Sequence, residues 1–174
     1  MPRRFAIALI LVLLLVIPVG TYLYMQKTQS DIQKAANVSS FNLIFRYGVG
    51  GKNELNTYND TYTRDMVVDP SITINFTLTV EEKWQILQKI AEVDFFNLPS
   101  NFTHDPSSWA TPQVDYYLKV QNGTQTNEVS WIQYGLLMES NVKSRLDQLI
   151  ICIQGTIEQK PEYKALPEPR GGYV

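Results

Sequence analysis

The chain begins Met1-Pro2-Arg3-Arg4 and continues into an apolar run from Phe5 to about Met25 that holds no charged residue and no Asn or Gln. No water-soluble domain can leave such a run on its surface, so this stretch needs a bilayer or must be cut away. Roughly 20 residues at about 1.5 Å each span ~30 Å, the hydrocarbon thickness of a membrane. Signal-peptide cores are shorter and end in a small-x-small site. Here Tyr22, Leu23 and Tyr24 prolong the run and no Ala-x-Ala follows. The pattern predicts an uncleaved signal anchor, with cleavage after Thr21 as the alternative. Arg3 and Arg4 on the short side predict a cytoplasmic N-terminus, which places the remaining chain outside.

Beyond the anchor the organisation reads as a polar stalk over residues 26–38, one domain over 39–160 and an extended tail over 161–174. Lys and Arg total 15 against 17 Asp and Glu, for a net charge of −2. That balance argues against nucleic acid, which calls for a basic stripe. One cysteine, Cys152, excludes an intrachain disulfide. One histidine, His104, excludes a site built from paired imidazoles. Five Asn-x-Ser/Thr triplets start at Asn37, Asn59, Asn75, Asn101 and Asn122, and all follow the anchor. They are candidate glycan acceptors, in keeping with export.

Alternation of Phe41, Leu43, Phe45 and Tyr47 predicts a strand, closed by Gly48, Gly50 and Gly51. One further extended stretch is expected over 54–68, with Asp69-Pro70 as a turn. A half-buried strand follows, with Ile72, Ile74, Phe76 and Leu78 inward. Thr79-Val80-Glu81-Glu82 has the form of a capping box and opens a helix to about Asp94. Its apolar stripe is expected along Val80, Trp84, Leu87 and Ala91, flanked by Ile86, Ile90 and Val93. Val114, Tyr116, Leu118 and Val120 form a strand that turns at Asn122-Gly123 and returns through Val129 and Trp131. A last helix over 141–159 carries the stripe Val142, Leu146, Leu149, Ile150, Ile153 and Ile157, with Ile151 pointing away. Strands and helices in this order predict an α+β domain, mostly antiparallel, with two helices on one face.

Several pieces together resemble a group of exported or membrane-anchored proteins of bacteria and archaea whose function is unknown. They are Leu55-Asn56-Thr57-Tyr58-Asn59, Thr61-Tyr62-Thr63-Arg64-Asp65-Met66, Leu78-Thr79-Val80-Glu81-Glu82, Asp94-Phe95-Phe96 and Tyr116-Tyr117-Leu118-Lys119-Val120. The last is Glu162-Tyr163-Lys164-Ala165-Leu166-Pro167 with Arg170-Gly171-Gly172-Tyr173. The resemblance implies an outer domain from about Phe41 to Val174 and transfers no catalytic residue.

Little in the chain suggests chemistry. Asp60, Asp65 and Asp69 are close in sequence but lack the glycine and terminal Glu of an EF-hand. They read as loop carboxylates rather than metal ligands. His104-Asp105 lacks a nucleophile beside it, and Cys152 reads as a structural thiol. No catalytic, metal or cofactor site is expected. Trp109 in its Ser-Ser-Trp-Ala-Thr-Pro loop, and Tyr163, Leu166, Arg170 and Tyr173 in the Pro-rich tail, are the candidate partner contacts. The expected function is a non-enzymatic interaction or accessory module beside another membrane or cell-surface protein. A sensor domain for a small molecule or peptide is the alternative, and a hydrolase ranks below both. Intact mass of the membrane-extracted protein should show the anchor still attached; a mature N-terminus between Val19 and Ser40 would contradict it.

Overall fold

The computed structural model describes residues 2–102, 105, 111–134 and 137–173, with side chains described from residue 17 onward. It divides into two compact units, residues 1–37 and 38–174. The first is a helix, α1, over Pro2–Val38. Its backbone is helical through the apolar run, with Pro18 inside and Thr21 Oγ1 donating back to the Pro18 carbonyl at 2.9 Å. Among the described residues, no helix is long and apolar enough to cross a membrane. Most of the run from Phe5 lies on residues whose side chains are outside that description.

The second unit is α+β. It holds one antiparallel sheet of six strands: β1 (Phe41–Val49), β2 (Asn53–Asn56), β3 (Thr61–Met66), β4 (Asp69–Asn75), β5 (Val114–Asn122) and β6 (Gln125–Ile132). Their order across the sheet is β4-β3-β2-β1-β5-β6. The helices are α2 (Val80–Glu92), α3 (Ser140–Gln159) and the short α4 (Pro161–Lys164). Phe41, Leu43, Phe45, Leu118, Val120 and Val129 occupy one face of the sheet. They are buried together with Ile86 and Ile90 of α2 and Leu146, Leu149 and Ile153 of α3 in a single core. Period-two alternation in the strands meets the 3.6-residue stripe of the helices, and each buries what the other cannot.

Four expectations need correction. The extended stretch over 54–68 is two strands, because Thr57–Asp60 turns between them. The Asn56 carboxamide oxygen accepts from the Tyr58 N–H at 3.1 Å, and Asp60 takes a left-handed φ of 51°. Such local bonding and tolerance of positive φ favour turns over a continuing strand. Asp69-Pro70 starts the edge strand β4, where a missing N–H costs nothing. The reversal sits one step earlier, at Val67 (φ 63°), where the Val68 N–H donates to the Met66 carbonyl at 2.8 Å. In the β5–β6 hairpin Asn122 pairs with Gln125, so the two loop residues are Gly123 and Thr124. In α2 the buried line is Ile86 and Ile90, continued by Val93 just past its end, while Val80 is 46% exposed and Ala91 is also exposed.

Helix α2 starts as the residues require. The Thr79 hydroxyl accepts from the Glu82 N–H at 3.2 Å, and the Glu82 carboxylate accepts from the Thr79 N–H at 2.7 Å. Lys160, just past α3, donates to the same carboxylate at 3.0 Å and lies over the Phe76 ring. Burial pushes the Glu82 carboxyl up, but the Thr79 bonds and the Lys160 ammonium outweigh it and hold it below the ordinary range. For a depressed carboxyl the stabilising share is full above the unfolded value, about 4.3, and is lost as pH falls through the lower folded value. Wild-type stability should therefore fall more steeply than that of Glu82→Gln on acidification below about pH 4. Parallel stability curves for the two proteins would contradict it.

Candidate functional site

Two places in the domain concentrate polar and aromatic side chains. The first joins β3 to the segment after α3. Pro161 does not merely end α3; with Lys160 in extended conformation it opens α4, so residues 161–164 are a helical turn rather than extended chain. Tyr163 then meets Tyr62 edge-on, with ring centroids 5.5 Å apart, and lies under the Arg64 guanidinium at 4.9 Å. Leu166 is buried in the core. Glu168 accepts from Arg64 at 2.9 Å, and Arg170 grips Asp69 with two bonds of 2.8 and 2.6 Å. Arg170 also bridges to Val67 through backbone. The Tyr173 hydroxyl donates to Asp65 and accepts from Lys52. Gly171 must be glycine here: its φ is +81° and a Cβ would sit 2.8 Å from Val68 Cγ2.

The sequence-predicted residues Tyr163, Leu166, Arg170 and Tyr173 are thus brought together, and they bind the domain itself. Leu166 has no surface left for a partner. Trp109 and His104 lie outside the described residues. Asp60, Asp65 and Asp69 go separate ways: Asp60 shapes a turn, Asp65 accepts from the Val67 N–H and Tyr173, and Asp69 pairs with Arg170. Among the described residues no group of three or more His, Cys, Asp or Glu gathers as a metal site would require. Arg170 beside Asp69 holds that carboxyl below its ordinary value.

Several participants carried no usable signal in the sequence. Asn53 donates to the Tyr47 carbonyl at 3.2 Å and accepts from the Asp65 N–H at 3.0 Å, linking β1 to the bulge of β3. Gly48 (φ +94°) admits it, since a Cβ there would lie 2.7 Å from Asn53 Nδ2. Thr57 lends its hydroxyl to the Leu43 N–H at 2.8 Å and prolongs the ladder beyond β2. Tyr47 and Tyr62 share a hydrogen bond of 2.7 Å in the core. Burial pushes the Tyr47 phenol up to about 12 and raises Tyr62 as well. Both phenols therefore stay protonated at neutral pH and act as bonding and packing groups, not as bases. Burial also raises the Cys152 thiol, away from the thiolate that redox or nucleophilic chemistry uses.

The second place is the sheet face opposite the core. Arg46 pairs with Glu54 at 2.6 Å and lies 5.5 Å from the Tyr117 ring centre. Tyr117 donates to Glu128 at 3.0 Å, and Tyr58 donates to Gln121 at 3.0 Å. Beside these groups a cleft of about 640 Å³ opens, lined by Arg46, Lys52, Asn101, Asp115, Tyr117 and Ser130 among others. Of the sequon asparagines, Asn37, Asn59, Asn75 and Asn101 are exposed. Asn122 is half-buried beside Ser40, whose hydroxyl accepts from the Gly123 N–H at 3.0 Å. No protein-family model matches the chain, and no curated protein matches it.

Docking of residues 163–173 onto the domain should contribute to its stability. Leu166→Ala removes a buried side chain and should cost about 2–4 kcal/mol in urea denaturation. A loss within about 0.5 kcal/mol, the range of ordinary surface changes, would mean that the segment does not hold the fold.

Proposed function

We propose that the chain is a non-enzymatic interaction or accessory module, held at the outer face of a membrane by its N-terminal helix with the N-terminus in the cytoplasm. The observation that carries this reading is the sheet face bearing Arg46, Tyr58 and Tyr117. Antiparallel sheets tolerate one solvated face, and arginine with aromatic rings is the composition that protein interfaces favour. These side chains are already braced by Glu54, Gln121 and Glu128, so a partner meets a surface that loses little conformational entropy on contact. The run from Phe5 to Met25 with Arg3 and Arg4 before it supports the anchor, and the exposed sequon asparagines suit a glycosylated outer surface. The partner this reading implies is another membrane or cell-surface protein.

A sensor for a small molecule or peptide is the second reading, favoured by the cleft beside Arg46 and Tyr117. One experiment tests the first reading. Solubilise membranes holding the full chain, and compare co-purifying proteins for wild type and for Arg46→Ala with Tyr117→Ala. The module reading expects recovery of a defined partner to fall about tenfold with unchanged thermal stability. Equal recovery of the same partners from both would rule this face out as the contact.

A further inference from the structure

A cleft apart from the face just described lies between the end of β6 and the flank of α3, with a volume of about 580 Å³. We propose that it binds a neutral saccharide. Its inner wall includes Trp131 and Tyr116, whose rings stack 5.3 Å apart at 21°. Tyr134, 51% exposed, and Ile151, 67% exposed, also line it. Lys143, Asp147, Ile151 and Gln154 follow one another at spacings of four, four and three on α3 and form a single stripe beside its buried one. Ile151 therefore has no core to fill; it belongs to this cleft.

The lining selects the ligand by elimination. Lys143 donates to Asp147 at 2.8 Å, so the two charges neutralise each other and neither an anion nor a cation is favoured. A wholly apolar ligand would strip water from that pair and from the amides of Gln133 and Gln154, and would return no hydrogen bond. A neutral ligand with an apolar face and many hydroxyl groups satisfies both halves of the lining. A pyranose ring has that form: its C–H faces pack on Tyr134 and Ile151, while its hydroxyls donate to the amide oxygens and the carboxylate and accept from the amide N–H groups. The volume falls within the range of small-ligand clefts. The site adds to the accessory-module reading and does not rest on it: Tyr116 and Trp131 border both clefts, but neither Arg46 nor Tyr117 lines this one.

The test is a titration of the isotopically labelled full chain in dodecylphosphocholine micelles, which carry no sugar. Maltotriose, cellotriose and chitotriose are the probes, with indole as an apolar control, followed by the Trp131 indole and the Gln133 and Gln154 side-chain amides. At least one trisaccharide should shift these signals saturably. Tyr134→Ala and Gln154→Ala should each weaken it about tenfold with the thermal midpoint unchanged. Binding of indole alone, no response to any trisaccharide up to roughly 20 mM, or wild-type responses from both variants would each overturn the proposal.

Discussion

Everything in the domain is hung on one row of aromatic rings laid across the sheet. Trp131 on β6 stacks on Tyr116 of β5, Tyr116 on Phe45 of β1, and Phe45 on Tyr47 further along the same strand. Tyr47 passes the row on to β3 by its hydrogen bond to Tyr62, which in turn packs on Phe76 and Tyr163. Because side chains alternate between faces, a one-residue slip of any strand would throw its ring to the opposite side. The register Phe45↔Leu118 and Tyr47↔Tyr116 is therefore enforced by packing as well as by the ladder. Aromatic pairs of this kind contribute beyond their buried area, and here they tie four strands and the segment after α3 into one object.

How much of this could be read from residues alone depended on whether the signal was local. The capping box at Thr79 is local chemistry, and the bonds lie where the pattern puts them. The stripe of α3 was equally legible, since Leu146, Leu149, Ile153 and Ile157 recur at helical spacing and nothing competes with them. In α2 the apolar arc was too wide to have a visible centre; packing into the core shared with the sheet and α3 selects Ile86 and Ile90 over Val80 and Ala91. The turn at Thr57–Asp60 had its signal in a cluster of Asn, Thr and Asp, but β-rich neighbours on both sides masked it. Val67 gave no warning at all. A β-branched residue avoids positive φ, and at this turn Val67 is held by the Asp65 carboxylate on its N–H and by a backbone bridge to Arg170 about a hundred residues away.

The same distinction governs the functional surfaces. Tyr163, Arg170 and Tyr173 stood out as candidate partner contacts, and in the structure they contact the same chain; no sequence pattern distinguishes those two kinds of contact. Arg64, Asp65 and Asp69 answer that question only in three dimensions. Conversely, Ile151 looked like a stray apolar residue and gains a meaning only beside Tyr134 and Gln154. The domain thus divides its labour: one sheet face and the segment over 163–173 hold it together, while the other face and the α3 flank remain open to solvent.

That segment has a consequence for the order of events in folding. Its bonds to Asp69, Asp65 and Lys52 span 101, 108 and 121 residues of chain. Contacts so distant close late, because the loop they close is long. Strands β2 and β3 can pair through local hairpins well before then, yet Tyr62 and Arg64 keep an unshielded flank until Tyr163 and Leu166 arrive. A newly made chain therefore passes through a period in which a sticky aromatic edge is uncovered. Crowding of nascent copies at that stage is where misassembly of this domain would begin.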